Sequence, residues 1–188
     1  MKIAYILFNG ITWLDLIGIY DPISRLKTMK YLPDLDWDLC SFENEISDNF
    51  GLMVSPQKIK QSLEFYDIII VPGGLGTRTL RLENDFIAWL QTAQNAKFKI
   101  SICTGSLLLG AAGFLKNRKA TTNFQEYETL APYCSEVLSG RIVEDRDVIT
   151  AGAVSCSLDL GLYLCKKWAG IEAMKEIRKR MDYFPSEF

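Results

Sequence analysis

Cys103 is the residue whose surroundings point to covalent chemistry. It sits in Ser101-Ile102-Cys103-Thr104-Gly105, after the strand-like run Phe98–Ile102 and before the helix-like run Ser106–Leu109. Small residues stand two positions before and two after the cysteine, the spacing required where a strand turns sharply into a helix. Such a turn holds its central residue in an uncommon backbone conformation and lifts the side chain above the strand ends. A sulfur beside unpaired helix N–H groups is expected to be a thiolate. Lowering a thiol from about 8.5 to about 5.5 requires roughly 4 kcal/mol of preferential thiolate stabilisation. The competing reading of Cys103 is a buried core thiol, because cysteine is among the most buried residue types.

The chain contains no histidine. A Cys-His or Ser-His couple within one chain is thereby excluded, and any proton transfer at Cys103 falls to a carboxyl, a lysine, a tyrosine, water or the thiol itself. Asp15 is the acid placed for it. It lies in the first turn of a helix that follows the first strand, and strand C-terminal ends form the ligand crevice of a doubly wound sheet. Alone, an acid there would be read as a helix-dipole carboxylate. Pro72-Gly73-Gly74 ends another apolar strand, and its glycines permit close backbone approach. The N–H groups of Gly74 and Thr104 are expected to form an oxyanion-hole-like pair above the sulfur.

The elements that must position these residues alternate strand and helix, which indicates an α/β fold with a mainly parallel sheet. Lys2–Phe8 and Asp67–Val71 read as buried parallel strands. A helix from Trp13 to about Lys27 is expected to turn Leu14, Ile17, Tyr20 and Ile23 inward and to be kinked or divided into two shorter helices at Pro22. Leu35, Trp37 and Leu39 alternate with acids as in a half-exposed strand, and a hairpin is expected around Asn49-Phe50-Gly51. A helix capped by Asn84 or Asp85 follows. Ala120–Thr122 reads as strand, 123–133 as helix, and Ile142–Glu144 with Val148–Ala151 as a hairpin. Ser155 caps a further helix. A last one, from Gly170 or Ile171 to Met181, turns Ile171, Met174, Ile177 and Met181 inward. Asp21 is placed to pair with Arg25 one turn on, and Cys40 and Cys165 read as structural.

Length and charge narrow the function. The 188 residues suit one domain spanning 1–188. A net charge of −2, spread along the sequence, gives no electrostatic case for nucleic acid or an anionic membrane surface. No apolar run is long enough to span a bilayer, and the N-terminus enters a strand with no signal peptide. Five cysteines without metal-ligand spacing argue against a disulfide framework or a zinc site and for a reducing, cytoplasmic setting.

Taken together, Gly10-x-x-x-x-Asp15 with Gly18 and Asp21, Val71-Pro72-Gly73-Gly74, the Cys103 pentapeptide, Ala120-Thr121-Thr122, Ile149-Thr150-Ala151-Gly152 and Ser157-Leu158-Asp159-Leu160 resemble the ThiJ/PfpI superfamily over almost the whole chain. That resemblance implies the flavodoxin-like three-layer sandwich of class I glutamine amidotransferase-like domains, with a nucleophile elbow. Cys-Thr at the elbow, aspartate at position 15 and the ending Met181-Asp182-Tyr183-Phe184-Pro185 lean towards the isonitrile hydratase branch. The resemblance to that branch implies a homodimer with no cofactor and no metal, hydrating an isonitrile to an N-substituted formamide. In that reading Cys103 is the nucleophile, Asp15 its acid partner and Thr104 a neighbouring site residue.

Three departures matter. Many relatives carry histidine after the Thr-Thr pair, where this chain has Asn123, so amidotransferase or protease activity is not expected. Related regulators append a helix-turn-helix domain, for which a chain ending at Phe188 leaves no room. Gly18-Ile19 replaces the usual Gly-Pro of the first helix. Two other functions stay open: a glyoxalase-like enzyme using the same thiolate on a carbonyl, and a redox or stress-response protein whose Cys103 oxidises without turnover.

Overall fold

A computed structural model describes residues 1–184; Pro185, part of the ending noted above, lies outside the described residues. In chain order it runs β1 (Lys2–Leu7), α1 (Trp13–Thr28), β2 (Asp36–Ser41), β3 (Ile46–Ser47), β4 (Met53–Val54), β5 (Lys58–Ile59), β6 (Ile68–Val71), α2 (Thr77–Leu80), α3 (Asn84–Gln91), β7 (Phe98–Ile102), α4 (Gly105–Ala111), β8 (Lys119–Ala120), α5 (Tyr127–Leu130), β9 (Glu136–Val137), β10 (Ile142–Asp145), β11 (Val148–Ala151) and α6 (Cys156–Arg180).

Seven strands form one sheet in the order β10-β11-β7-β6-β1-β2-β5. Its pairings are parallel except that between β10 and β11. The apolar runs Ile3–Leu7, Ile68–Val71 and Val148–Ala151 are buried throughout, as strands covered on both faces must be. From β1 the chain moves outward to β2. It returns to the other side of β1 as β6 and then continues away through β7 to β11. Right-handed crossovers therefore place α1 on one face and α3 and α4 on the other. The direction reverses between β1 and β6, and a sheet of this kind opens its ligand crevice at the C-terminal ends beside such a reversal.

Helix α1 departs from the expected pattern in two ways. It continues through Pro22, whose ring packs against Gly161 of α6, where a side-chain carbon would stand 2.6 Å away. Its inner face is Asp15, Leu16, Ile19, Ile23 and Leu26, while Leu14 and Ile17 stay about half exposed. The run Cys156–Arg180 is two helices meeting at Gly170, whose φ of 89° breaks the spiral. In its second part Ile177 is buried as expected, whereas Ala173 takes an inner place and Ile171 is exposed. The 123–133 segment is not one helix: 3₁₀ turns at Phe124–Glu126 and Ala131–Tyr133 flank the single turn α5. Residue Ala120 ends a two-residue strand that pairs with β9 outside the main sheet, and Glu83 rather than Asn84 or Asp85 precedes α3 as its cap. The hairpins β3–β4 and β10–β11 form as expected. Among the described residues no helix is long and apolar enough to cross a membrane.

Candidate active site

The elbow forms where the spacing places it. Strand β7 ends at Ile102, α4 begins at Gly105, and Cys103 between them has a φ of 54°. A side chain with a Cβ adopts that left-handed conformation only at a cost of order 1–3 kcal/mol, so the surroundings must enforce it. Several bonds do so. The Cys103 N–H donates to the carbonyls of Ala151 and Gly152 after β11, at 3.0 and 2.9 Å. The Cys103 carbonyl accepts from Thr122 Oγ1 at 3.0 Å and Ser106 Oγ at 3.2 Å. The residue is only 5% exposed.

Asp15 reaches the same point from α1. Its position on the helix's inner face leaves it with no exposed surface. Oδ2 accepts from the Gly73 N–H at 3.0 Å, whereas Oδ1 has no hydrogen-bond partner. A buried carboxyl oxygen without a donor is costly to ionise. Gly73 is the spacer of this cluster. A Cβ there would lie 2.7 Å from Asp15 Oδ2, 2.7 Å from the Thr104 nitrogen and 2.8 Å from Cys103 Cβ. The backbone after β6 thus passes so close to both acid and thiol that no side chain fits at position 73.

Thr104 locks the β6 turn to the elbow. Its Oγ1 accepts from the Gly74 N–H at 3.0 Å and donates to the Gly74 carbonyl at 3.1 Å. The Gly74 N–H is therefore already occupied. Of the two donors expected above the sulfur, the Thr104 N–H is the one that favours the charged sulfur.

The electrostatics reverse one expectation. Burial pushes the Cys103 thiol up to about 11, and the negative charge on Asp15 adds to the effect. Hydrogen bonds from the Asn123 carboxamide and from Thr104 pull the other way without overcoming it. Helix α4 has seven residues and starts only after Thr104, and its N-terminus does not make Cys103 a resting thiolate. Burial also raises Asp15, to about 7, against the opposing pull of the Gly73 N–H and the Cys103 thiol. The two groups therefore hold one proton between them over a wide range above neutrality. Moving that proton from sulfur to Asp15 makes a nucleophile and an acid together, with no change in net charge.

Asn123 completes the cluster and has no counterpart among the expected catalytic residues. Its Nδ2 lies 3.7 Å from Cys103 Sγ, and its Oδ1 accepts from the Gln125 N–H at 3.0 Å. The remaining cysteines are free thiols. Burial raises Cys40 to about 11 and Cys165 to about 12, in keeping with their structural reading. Asp21 pairs with Arg25 at 2.8 Å away from the site, a surface contact worth little.

Known proteins show the same arrangement of chain. A family model described as DJ-1/PfpI matches residues 1–167. The isonitrile hydratase of Pseudomonas putida is 29% identical over 188 residues, covering 99% of this chain and 80% of that protein. The crystal structure of a ThiJ/PfpI family protein from Pseudomonas syringae superposes with a TM-score of 0.89 at 26% identity, covering 99% of this chain and 76% of the other. Drosophila melanogaster DJ-1beta superposes with a TM-score of 0.82 at 17% identity, covering 98% of each chain, a likeness of fold alone.

Proposed function

The chain belongs to the DJ-1/PfpI family, and we propose that within it the protein is an isonitrile hydratase-like lyase, adding water to an isonitrile to give an N-substituted formamide. The observation that carries this reading is the isolated pair of Cys103 and Asp15, joined through Gly73, in a chain without histidine. The likeness to the Pseudomonas putida isonitrile hydratase supports the choice of substrate class.

The chemistry follows from the proton inventory. With Asp15 ionised, the thiol proton passes to its carboxylate. The thiolate attacks the terminal isonitrile carbon, forming the C–S bond as an electron pair collects on that carbon. Asp15 returns its proton to the same carbon, leaving a thioimidate on Cys103 and a carboxylate at Asp15. Water then adds to the thioimidate carbon, one of its protons going to the substrate nitrogen. The C–S bond breaks with its electrons on sulfur. The proton left on the new carbonyl oxygen goes to Asp15 and from there to the Cys103 sulfur, which restores the starting thiol and carboxylate. General acid–base help of this kind contributes typically 10²–10⁴-fold. The Thr104 N–H steadies charge on sulfur as it attacks and departs.

The unpaired state of all five cysteines fits a reducing cytoplasm. A second copy of the chain fits the half-exposed Leu14 and Ile17 of α1, which continue to the exposed Leu52 and Met53 through the Trp13 Nε1 bond to the Leu52 carbonyl. The test of the reaction is formamide production from small alkyl and aryl isonitriles, read by proton NMR. Formamide from the wild type is expected. Lactate from methylglyoxal with no formamide would favour the glyoxalase-like reading. Stoichiometric Cys103 oxidation with neither product would favour the redox reading.

A further inference from the structure

We propose that Asn123 is a catalytic residue that stabilises the Cys103 thiolate by donating a hydrogen bond while never taking a proton itself. The inference deepens the hydratase reading and rests on it for the reaction, though not for the effect on the sulfur.

The orientation of the carboxamide is set from outside the site. Asn123 caps the 3₁₀ turn Phe124–Glu126, and its Oδ1 is committed to the Gln125 N–H at 3.0 Å. That bond leaves the amide group one way to face, with Nδ2 towards Cys103 Sγ at 3.7 Å, a normal separation for a donor to sulfur. The backbone just before it is fixed to the same elbow, because Thr122 Oγ1 donates to the Cys103 carbonyl at 3.0 Å. The 3₁₀ turn is held in its turn by Glu126, whose Oε1 accepts from Arg78 Nε at 2.8 Å.

A donor that is no acid has a distinct use here. The pair needs one mobile proton, shared between Cys103 and Asp15. A second titratable group on the sulfur would compete for that proton and open a route to hydrolytic chemistry with its own general base. The carboxamide lowers the cost of the thiolate without joining the titration. Asp15, on α1, is the titratable group whose charge acts on the sulfur. Cys156, at the start of α6, feels the same Asp15 charge and is a thiol held up by burial.

Two variants separate the donor from the cap. Asn123→Ser keeps a capping oxygen on a side chain too short to reach the sulfur. Asn123→Asp keeps the shape and the cap but turns an acceptor with negative charge towards Sγ. The readout is the rate of Cys103 alkylation by iodoacetamide against pH, followed by mass spectrometry of the Cys103 peptide, with thermal unfolding alongside. Losing the donor is expected to slow alkylation at neutral pH about tenfold and to move its midpoint up by roughly one unit. Asn123→Asp is expected to move it further. Wild-type alkylation profiles in both folded variants would overturn the proposal and leave Asn123 a cap only. A shifted profile with no isonitrile turnover even in the wild type would support the thiolate role and contradict the hydratase reading.

Discussion

The Gly73 N–H donates to Asp15 Oδ2 at 3.0 Å, and the same glycine leaves no room for a Cβ between that oxygen and Cys103. The acid comes from α1 and the nucleophile from the turn between β7 and α4, and the turn after β6 is what sets their spacing. Gly73→Ala would put a carbon within 2.8 Å of three groups at once. We expect a stability loss of about 1–3 kcal/mol, the usual cost of overpacking, and a fall in kcat larger than that loss explains. Denaturant unfolding and initial rates on one preparation check both; wild-type kcat in Gly73→Ala would remove the spacing argument.

The pH–rate profile should report the pair. Below about 7 both groups hold a proton, and no carboxylate is left to take the one on sulfur. Activity is expected to rise with pH through about 7 and to fall only near 11, where the last shared proton is lost. In Asp15→Asn the limb near 7 is expected to vanish along with a factor of about 10²–10⁴ in kcat. A limb that persists unchanged in that variant would assign it to another group.

Asp15 should also weaken the fold as pH rises. Its folded value of about 7 stands above its ordinary 3.8, so between those values the folded protein holds a proton that the unfolded chain has released. Stability contributed by this group therefore falls as pH rises from about 4 to about 7 and is level above that, a change of roughly 4 kcal/mol. Asp15→Asn is expected to match the wild type near pH 4 and to exceed it above pH 7. Urea unfolding at a series of pH values measures the gap; one that does not widen with pH contradicts the assignment.

How much of this was readable in advance depends on how local the signal is. The buried strands β1, β6 and β7 and the elbow are written in short apolar runs and small-residue spacing. Asp15 follows from its place after β1. The inner face of α1 was not readable from periodicity, because Leu14 and Ile17 are as apolar as the residues that pack, and one stripe cannot be told from the other. The contact of Asn123 with the sulfur depends on a loop after β8 returning to a strand end some twenty positions earlier; no local pattern encodes it, and only the resemblance, with histidine at this position in many relatives, points to it. The resting thiol was missed for a related reason. Placement at a turn before a helix is visible in sequence, whereas the depth of burial that outweighs it is not.

The outward stripe of α1 makes its own prediction. Ile17→Lys should leave the fold intact, because that residue is half exposed, and convert a dimer to a monomer in analytical ultracentrifugation. A wild type that is monomeric at tens of micromolar, or a variant that still dimerises, would show that this face is not the interface.

The central claim is that Cys103 carries the substrate covalently, with Asp15 managing the proton. The most direct test mixes the protein with an aryl isonitrile, quenches at intervals, and reads formamide by NMR and the Cys103 peptide by mass spectrometry. The account predicts a transient adduct on Cys103 equal in mass to the whole isonitrile, formamide appearing as it decays, and neither in Cys103→Ser. Formamide formed by Cys103→Ser at the wild-type rate would contradict it.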